Sequence, residues 1–137
     1  METEGQFSPT TAEAARDRYE ALGPTAQVVV KEVAKAMGLD ADEYRQRVTG
    51  EVVETARDVL FAESLAVTVG TRAEFEDWRA DADLEVTVVG AQNVDNVAWH
   101  AAPFAGRAVA ATFQGERRAA VGTLRRQAFG RIYDGVV

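Results

Sequence analysis

The sequence predicts an α+β fold. An N-terminal three-helix unit packs on a four-stranded mixed or antiparallel sheet with a long C-terminal helix, in the order αααβαβββα. Three observations carry this reading. Apolar residues recur at helical spacing as far as Leu60. The period then changes to two at Leu65, Val67 and Val69, and again at Leu84, Val86 and Val88. A last stripe, Val121, Leu124, Ala128 and Ile132, returns to helical spacing. At 137 residues, 47% of them apolar, the chain is long enough to bury one core, so residues 1–137 read as a single domain.

Each element has a local cause. Residues 1–8 read as a flexible tail. Thr10 and Glu13 have the spacing of a capping box, and Ala12, Ala15, Tyr19 and Leu22 follow on one helical face. Gly23-Pro24 is expected to end that helix and start a second, running to about Met37 with Val29, Val30, Val33 and Met37 on one side. Gly38 is a stop. Asp40 caps a third helix, with Asp42 and Glu43 in its first turn, where the helix dipole favours carboxylates. Its stripe is Tyr44, Val48, Val52, Ala56, Val59 and Leu60, and Gly50 weakens its middle by about 1 kcal/mol.

A half-buried strand at Leu65–Val69 is closed by Gly70. Thr71 and Glu74 form a second capping box, opening a short helix whose apolar side is Phe75 and Trp78. After the strand around Val86, a turn-rich stretch leads to two strands, 97–102 and 108–113, joined as a hairpin around Pro103-Phe104-Ala105-Gly106. The final helix runs from Glu116 to about Tyr133. The strand–helix–strand step suits a crossover that makes the first two strands parallel.

Charge is unevenly spread. Residues 1–101 hold 20 Asp and Glu against 9 Lys and Arg, while residues 102–137 hold 2 against 6. Five of those six arginines fall in the last helix. The net charge of −7 disfavours nucleic acid and anionic membranes as partners of the whole surface. No apolar run approaches the roughly 18 residues of a membrane span. The opening Met1-Glu2-Thr3-Glu4-Gly5 is unlike a secretory signal, and a cytoplasmic location is expected. The absence of cysteine removes disulfides, thiolate nucleophiles and cysteine metal sites.

Only Lys31 and Lys35 are lysine, against 13 arginines. Low lysine, small apolar residues and an acidic surface resemble the proteome of salt-loving archaea. A high-GC bacterial protein of acidic pI would show the same bias. At molar salt the Debye length is about 3 Å, so repulsion between surface carboxylates is screened.

The stretches Val97-Ala98-Trp99-His100-Ala101-Ala102-Pro103-Phe104, Thr112-Phe113 and Ala120-Val121-Gly122-Thr123-Leu124-Arg125-Arg126-Gln127-Ala128-Phe129-Gly130-Arg131-Ile132-Tyr133 resemble a family of small acidic haloarchaeal proteins of unknown function. The likeness extends back through Ala34–Leu60. It implies no activity, cofactor or catalytic residue.

Three places invite a functional reading. The first is the last helix. Arg118 and Arg125 lie within about 20° of each other beside its buried stripe. Arg126 lies nearly opposite, near Gly122 and Gly130, with Phe129 and Tyr133 as flanking anchors. Glycines inside a helix suit a close neighbour. That neighbour is either the chain's own hairpin or a partner, and the partner reading gives self-association or an acidic protein bound by the last helix and hairpin. The second place is residues 25–60, which resemble a helix-turn-helix at Ala34, Gly38, Leu39 and Tyr44. Its second helix would present Asp40, Asp42 and Glu43 to phosphates, with only Arg45 and Arg47 nearby, which opposes binding.

The third place is Trp99-His100. On a strand the two point to opposite faces. Trp99 is expected in the core and His100 away from it among small alanines, where it suits a ligand pocket or acid–base chemistry. No second histidine exists to complete a metal site, and no catalytic set or cofactor motif is found. A non-enzymatic interaction or regulatory protein is the preferred reading, followed by a nucleic-acid-binding regulator and by a small-ligand binder or enzyme at His100.

Overall fold

The computed structural model describes all 137 residues. Helix α1 spans Ala12–Ala36, α2 Ala41–Arg47 and α3 Gly50–Ser64. Strand β1 is Glu2–Glu4, β2 Val67–Thr71, β3 Glu85–Val89, β4 Asn96–Ala102 and β5 Arg107–Phe113. Helix α4 (Arg72–Ala82) lies between β2 and β3, and α5 (Arg117–Ala128) follows β5 and runs into a π-helical turn at Phe129–Tyr133. The α+β class and the sequence of long helices, sheet and terminal helix agree with expectation. The details differ in four places.

The expected tail is a strand. Glu2, Thr3 and Glu4 pair antiparallel with Val69, Thr68 and Val67, so the sheet has five strands and not four. Gly5 then turns with φ +85°, a conformation that favours glycine. A Cβ there would stand 2.6 Å from the Leu65 carbonyl oxygen and 2.7 Å from the Arg125 guanidinium. The two α5 arginines that reach this segment hold it down. Arg117 pairs with Glu2 and Glu4 at 2.8 and 2.9 Å. Arg125 donates to the carbonyls of Leu65 and Glu4 at 3.0 and 3.3 Å.

The expected break at Gly23-Pro24 is absent, and α1 is one helix of 25 residues capped by Thr11 rather than Thr10. An interior proline costs about 3 kcal/mol and leaves the Glu20 carbonyl without its helical donor. Packing on α3 offsets this. Arg57 lies against Gly23, where a Cβ would sit 3.4 Å from its guanidinium. It donates to the neighbouring Tyr19 carbonyl at 2.7 Å and stacks on the Tyr19 ring at 4.2 Å. Gly23 is where α3 approaches, not where α1 stops.

The real break comes later. Asp40 caps α2 as expected, and Glu43 completes a capping box with it, but that helix ends at Val48. Thr49 then caps α3 by accepting from the Val52 amide at 3.3 Å. Gly50 is therefore the first residue of a helix and not its weak middle.

The sheet order is β1-β2-β4-β5-β3. The β4–β5 hairpin is antiparallel as expected, with a 3₁₀ turn at Pro103–Ala105. β2 and β3 run in the same direction but are not neighbours. β4 and β5 lie between them, and β3 pairs in parallel with β5 at the far edge. One face of the sheet carries Val67, Val69, Ala98, Ala102, Val109 and Ala111 into the main core beneath α1, α3 and α5. Phe61 of α3 is central there, meeting the rings of Phe7, Tyr19, Phe129 and Tyr133 edge-on at 5.1–6.0 Å. The opposite face packs Val97, Trp99 and Ala110 against Phe75 and Trp78 of α4.

Candidate functional site

Trp99 is buried, as expected, but its neighbour is buried too. Both sheet faces are covered at β4, so His100 enters the main core with 1% of its surface exposed, rather than pointing into open space. Its Nδ1 lies 2.7 Å from the Ala66 carbonyl oxygen, which only accepts, so Nδ1 carries the proton and donates. Its Nε2 then accepts from the Tyr133 hydroxyl at 2.7 Å. Burial holds the His100 pKa below the usual histidine value, and Arg125 adds to the depression. The Ala66 bond opposes both. The Tyr133 hydroxyl is pushed up by burial. The pair is a neutral, satisfied bridge between β4 and the end of α5. Both imidazole nitrogens are occupied by protein.

The residues singled out on α5 separate into two groups. The stripe Val121, Leu124, Ala128 and Ile132 is buried, as expected. Tyr133 is fully buried, and Phe129 is half-buried against Phe61. The π-turn explains Tyr133. On an uninterrupted α-helix it would lie opposite Leu124. A turn closed by the Asp134 amide on the Phe129 carbonyl takes in one extra residue and rotates Tyr133 by about 100° onto the buried side. Arg125 is turned inward, to Leu65 and Glu4. Arg118, Arg126 and Gly130 remain exposed, and Gly122 is half-buried. A Cβ on Gly130 would meet nothing within 4 Å, and one on Gly122 would meet only the Arg126 side chain at 3.5 Å. No element of the chain fills the space these glycines leave.

The most distinctive surface lies elsewhere. From Gln27 to Leu60, Ala34 is the one buried residue, at 5%. Eight large apolar side chains are exposed in the molecule, and seven of them fall here: Val28, Val29, Val33, Met37, Tyr44, Val52 and Val59. Near the sheet, the α1 stripe Ala15, Tyr19 and Leu22 packs on the main core. Further along, the same stripe continues as Val29, Val33 and Met37 with nothing over it. With Leu39, Val48 and Val52 it walls a groove of about 400 Å³ between α1 and the α2–α3 pair. Arg47 is the one charged residue lining the groove.

This helical arm lies within residues 25–60, the stretch that resembles a helix-turn-helix. The start of α2 holds Asp40, Asp42 and Glu43, and Arg45 is paired with Asp42. Its open surface is aliphatic. The exposed valines were legible as a stripe. Nothing in their spacing says that the stripe outruns the core.

A family model described as a family of unknown function (DUF5809) matches residues 6–134. The chain belongs to that family. The DUF5809 match takes in all five helices and four of the five strands, so the arm, the buried His100–Tyr133 bridge and α5 all lie inside it, and only β1 lies outside. No curated protein and no solved structure matches the chain. No three metal-ligating side chains converge, and no helix is long and apolar enough to cross a membrane.

Proposed function

We propose that this DUF5809 protein is a non-enzymatic association module, and that it works as a homodimer whose helical arms pack on one another. The observation that carries the reading is the arm without a core of its own. Between Ala26 and Phe61 the helices bury one alanine, so this stretch gains little from folding on itself alone. A second arm laid in the groove gives a four-helix bundle, the usual way for such hairpins to bury their stripes.

Charge supports a second copy as the occupant. Arg47, the last residue of α2 and part of the groove wall, and Glu51, in the first turn of α3, each lack an ion pair within the chain. In a two-fold interface, residue i meets j and j meets i, so each arginine can face the other copy's glutamate. The acidic surface and scarce lysine fit assembly at high ionic strength inside the cell of a halophile. There, repulsion between two chains of −7 is screened and apolar burial is retained.

The exposed part of α5, at Arg118, Gly122, Arg126 and Gly130, is a second surface bare in the single chain, and we assign it to contact with an acidic protein partner. The unfilled space at both glycines favours it.

Sedimentation equilibrium across a salt series tests the arm. A dimer is expected. Val33→Glu should leave a folded monomer. Arg47→Glu should weaken association, and adding Glu51→Arg should restore it. Because the chain lacks cysteine, Val33→Cys reports directly, its disulfide forming only where two arms meet. A strict monomer at every concentration and salt would overturn the reading.

A further inference from the structure

The two edges of the sheet are treated differently. β1 is three residues long, and its Glu2 and Glu4 are both held by Arg117, which blunts that edge. β3 is five residues, Glu85-Val86-Thr87-Val88-Val89, rich in β-branched side chains, and it pairs on one side only. Glu85 donates its amide to the Gly106 carbonyl at 3.0 Å. In a parallel ladder, alternate residues bond to the neighbour. The N–H and C=O groups of Val86 and Val88 therefore point outward, with no strand to meet them.

Beside this edge, on the face that α5 covers further in, the sheet is bare. A cleft of about 340 Å³ lies between β3, the start of β5 and the π-turn. Glu85, Thr87, Arg107, Val109, Arg131 and Ile132 line it. Arg107 donates to the Arg131 carbonyl at 2.7 Å, and Arg131 donates to Gln127 Oε1 at 2.9 Å, so both side chains are placed. Neither forms an ion pair. Glu85 stands at the mouth, in register with Arg107, and is also unpaired.

We propose that the β3 edge and this cleft form one binding site for an extended, acidic segment of a partner protein. The segment adds as a sixth strand. Its backbone takes the free groups of Val86 and Val88, and every second side chain falls on the Thr87 face. Carboxylates at those positions reach Arg107 and Arg131, whose guanidinium groups suit bidentate contact. Two unpaired guanidinium groups against the single carboxylate of Glu85 leave the cleft with net positive charge, which favours an acidic partner. The site is separate from the helical arm and does not depend on dimerisation.

The probe is a fluorescein-labelled, end-blocked hexapeptide of alternating valine and glutamate, with a valine–lysine counterpart. Fluorescence anisotropy should show saturable binding of the glutamate peptide. Arg107→Gln and Arg131→Gln should each weaken it at least tenfold. Val88→Pro removes an outward N–H without touching the β5 ladder, so it should abolish binding while circular dichroism stays unchanged. If Val88→Pro destabilises the fold, N-methylation of the peptide backbone makes the same test from the ligand side. Equal binding of the lysine peptide, no binding of the glutamate peptide, or binding indifferent to both backbone blocks would overturn the proposal. Displacement by acetate or phosphate at millimolar concentration, with both blocks without effect, would mean a small-anion site instead and would overturn it too.

Discussion

The two halves of α1 carry the same kind of stripe and meet opposite fates. Ala15, Tyr19 and Leu22 lie against Phe61 and its ring of aromatic neighbours. Val29, Val33 and Met37 continue the pattern beyond the sheet, and Met37 keeps 61% of its surface in water. Hydrophobic periodicity records that a helix has a buried side. It does not record whose surface does the burying. The first half is covered by its own chain, and the second keeps its stripe in water.

The largest expected effect breaks the base of this comparison. Phe61→Ala removes a fully buried ring that touches both α1 and α5. It should cost about 3–5 kcal/mol of unfolding free energy in urea. Val33→Ala, at the tip of the same helix pair, should cost a dilute monomer no more than about 0.5 kcal/mol. Similar losses at the two positions would mean that the tip is covered within one chain, and the contrast would fail.

Next comes the bridge at the other end of the core. Tyr133→Phe leaves His100 Nε2 buried without a donor and should cost about 1–3 kcal/mol. The same bridge sets an acid limit. The folded-state pKa of His100 lies below its unfolded value of 6.5, so between the two the unfolded chain binds more protons. Stability should be fully present above about pH 6.5 and fall as pH drops toward the folded pKa. His100→Gln should flatten that part of the pH profile. A wild-type profile with no slope there would show that His100 is protonated in the core.

The smallest effect sharpens the tip. Gly50 opens α3 with ordinary helical φ, and a Cβ there meets nothing within 4 Å. Gly50→Ala should add about 0.4–1 kcal/mol by narrowing the unfolded ensemble. A loss instead would place something against that turn.

Legibility followed the range of the interaction. Most local signals held: the Asp40 cap, the Thr71/Glu74 capping box, the β4–β5 hairpin and the stripe of α5 are where their spacing put them, while the cap of α1 falls on Thr11 and not on the Thr10 of the Thr10/Glu13 box. Signals that depend on a distant neighbour did not. Gly23-Pro24 has the local chemistry of a stop, and only Arg57, over thirty residues away, makes it a packing site. The tail became β1 because Arg117 and Arg125 reach back to it. Tyr133 was placed on an outer face by a period that the π-turn interrupts. His100 was expected in the open because small neighbours suggest space, whereas here they let α5 come close enough to cover it.

The pinning of β1 has a consequence for how the chain is made. Residues 2–7 leave the ribosome well before β2 exists, and α5, whose arginines clamp them, emerges more than a hundred residues later. β1 can pair once β2 has emerged, but its clamp is complete only when α5 follows. Its two glutamates end as ion-pair partners of Arg117, so the docking of α5 joins segments more than a hundred residues apart in one step.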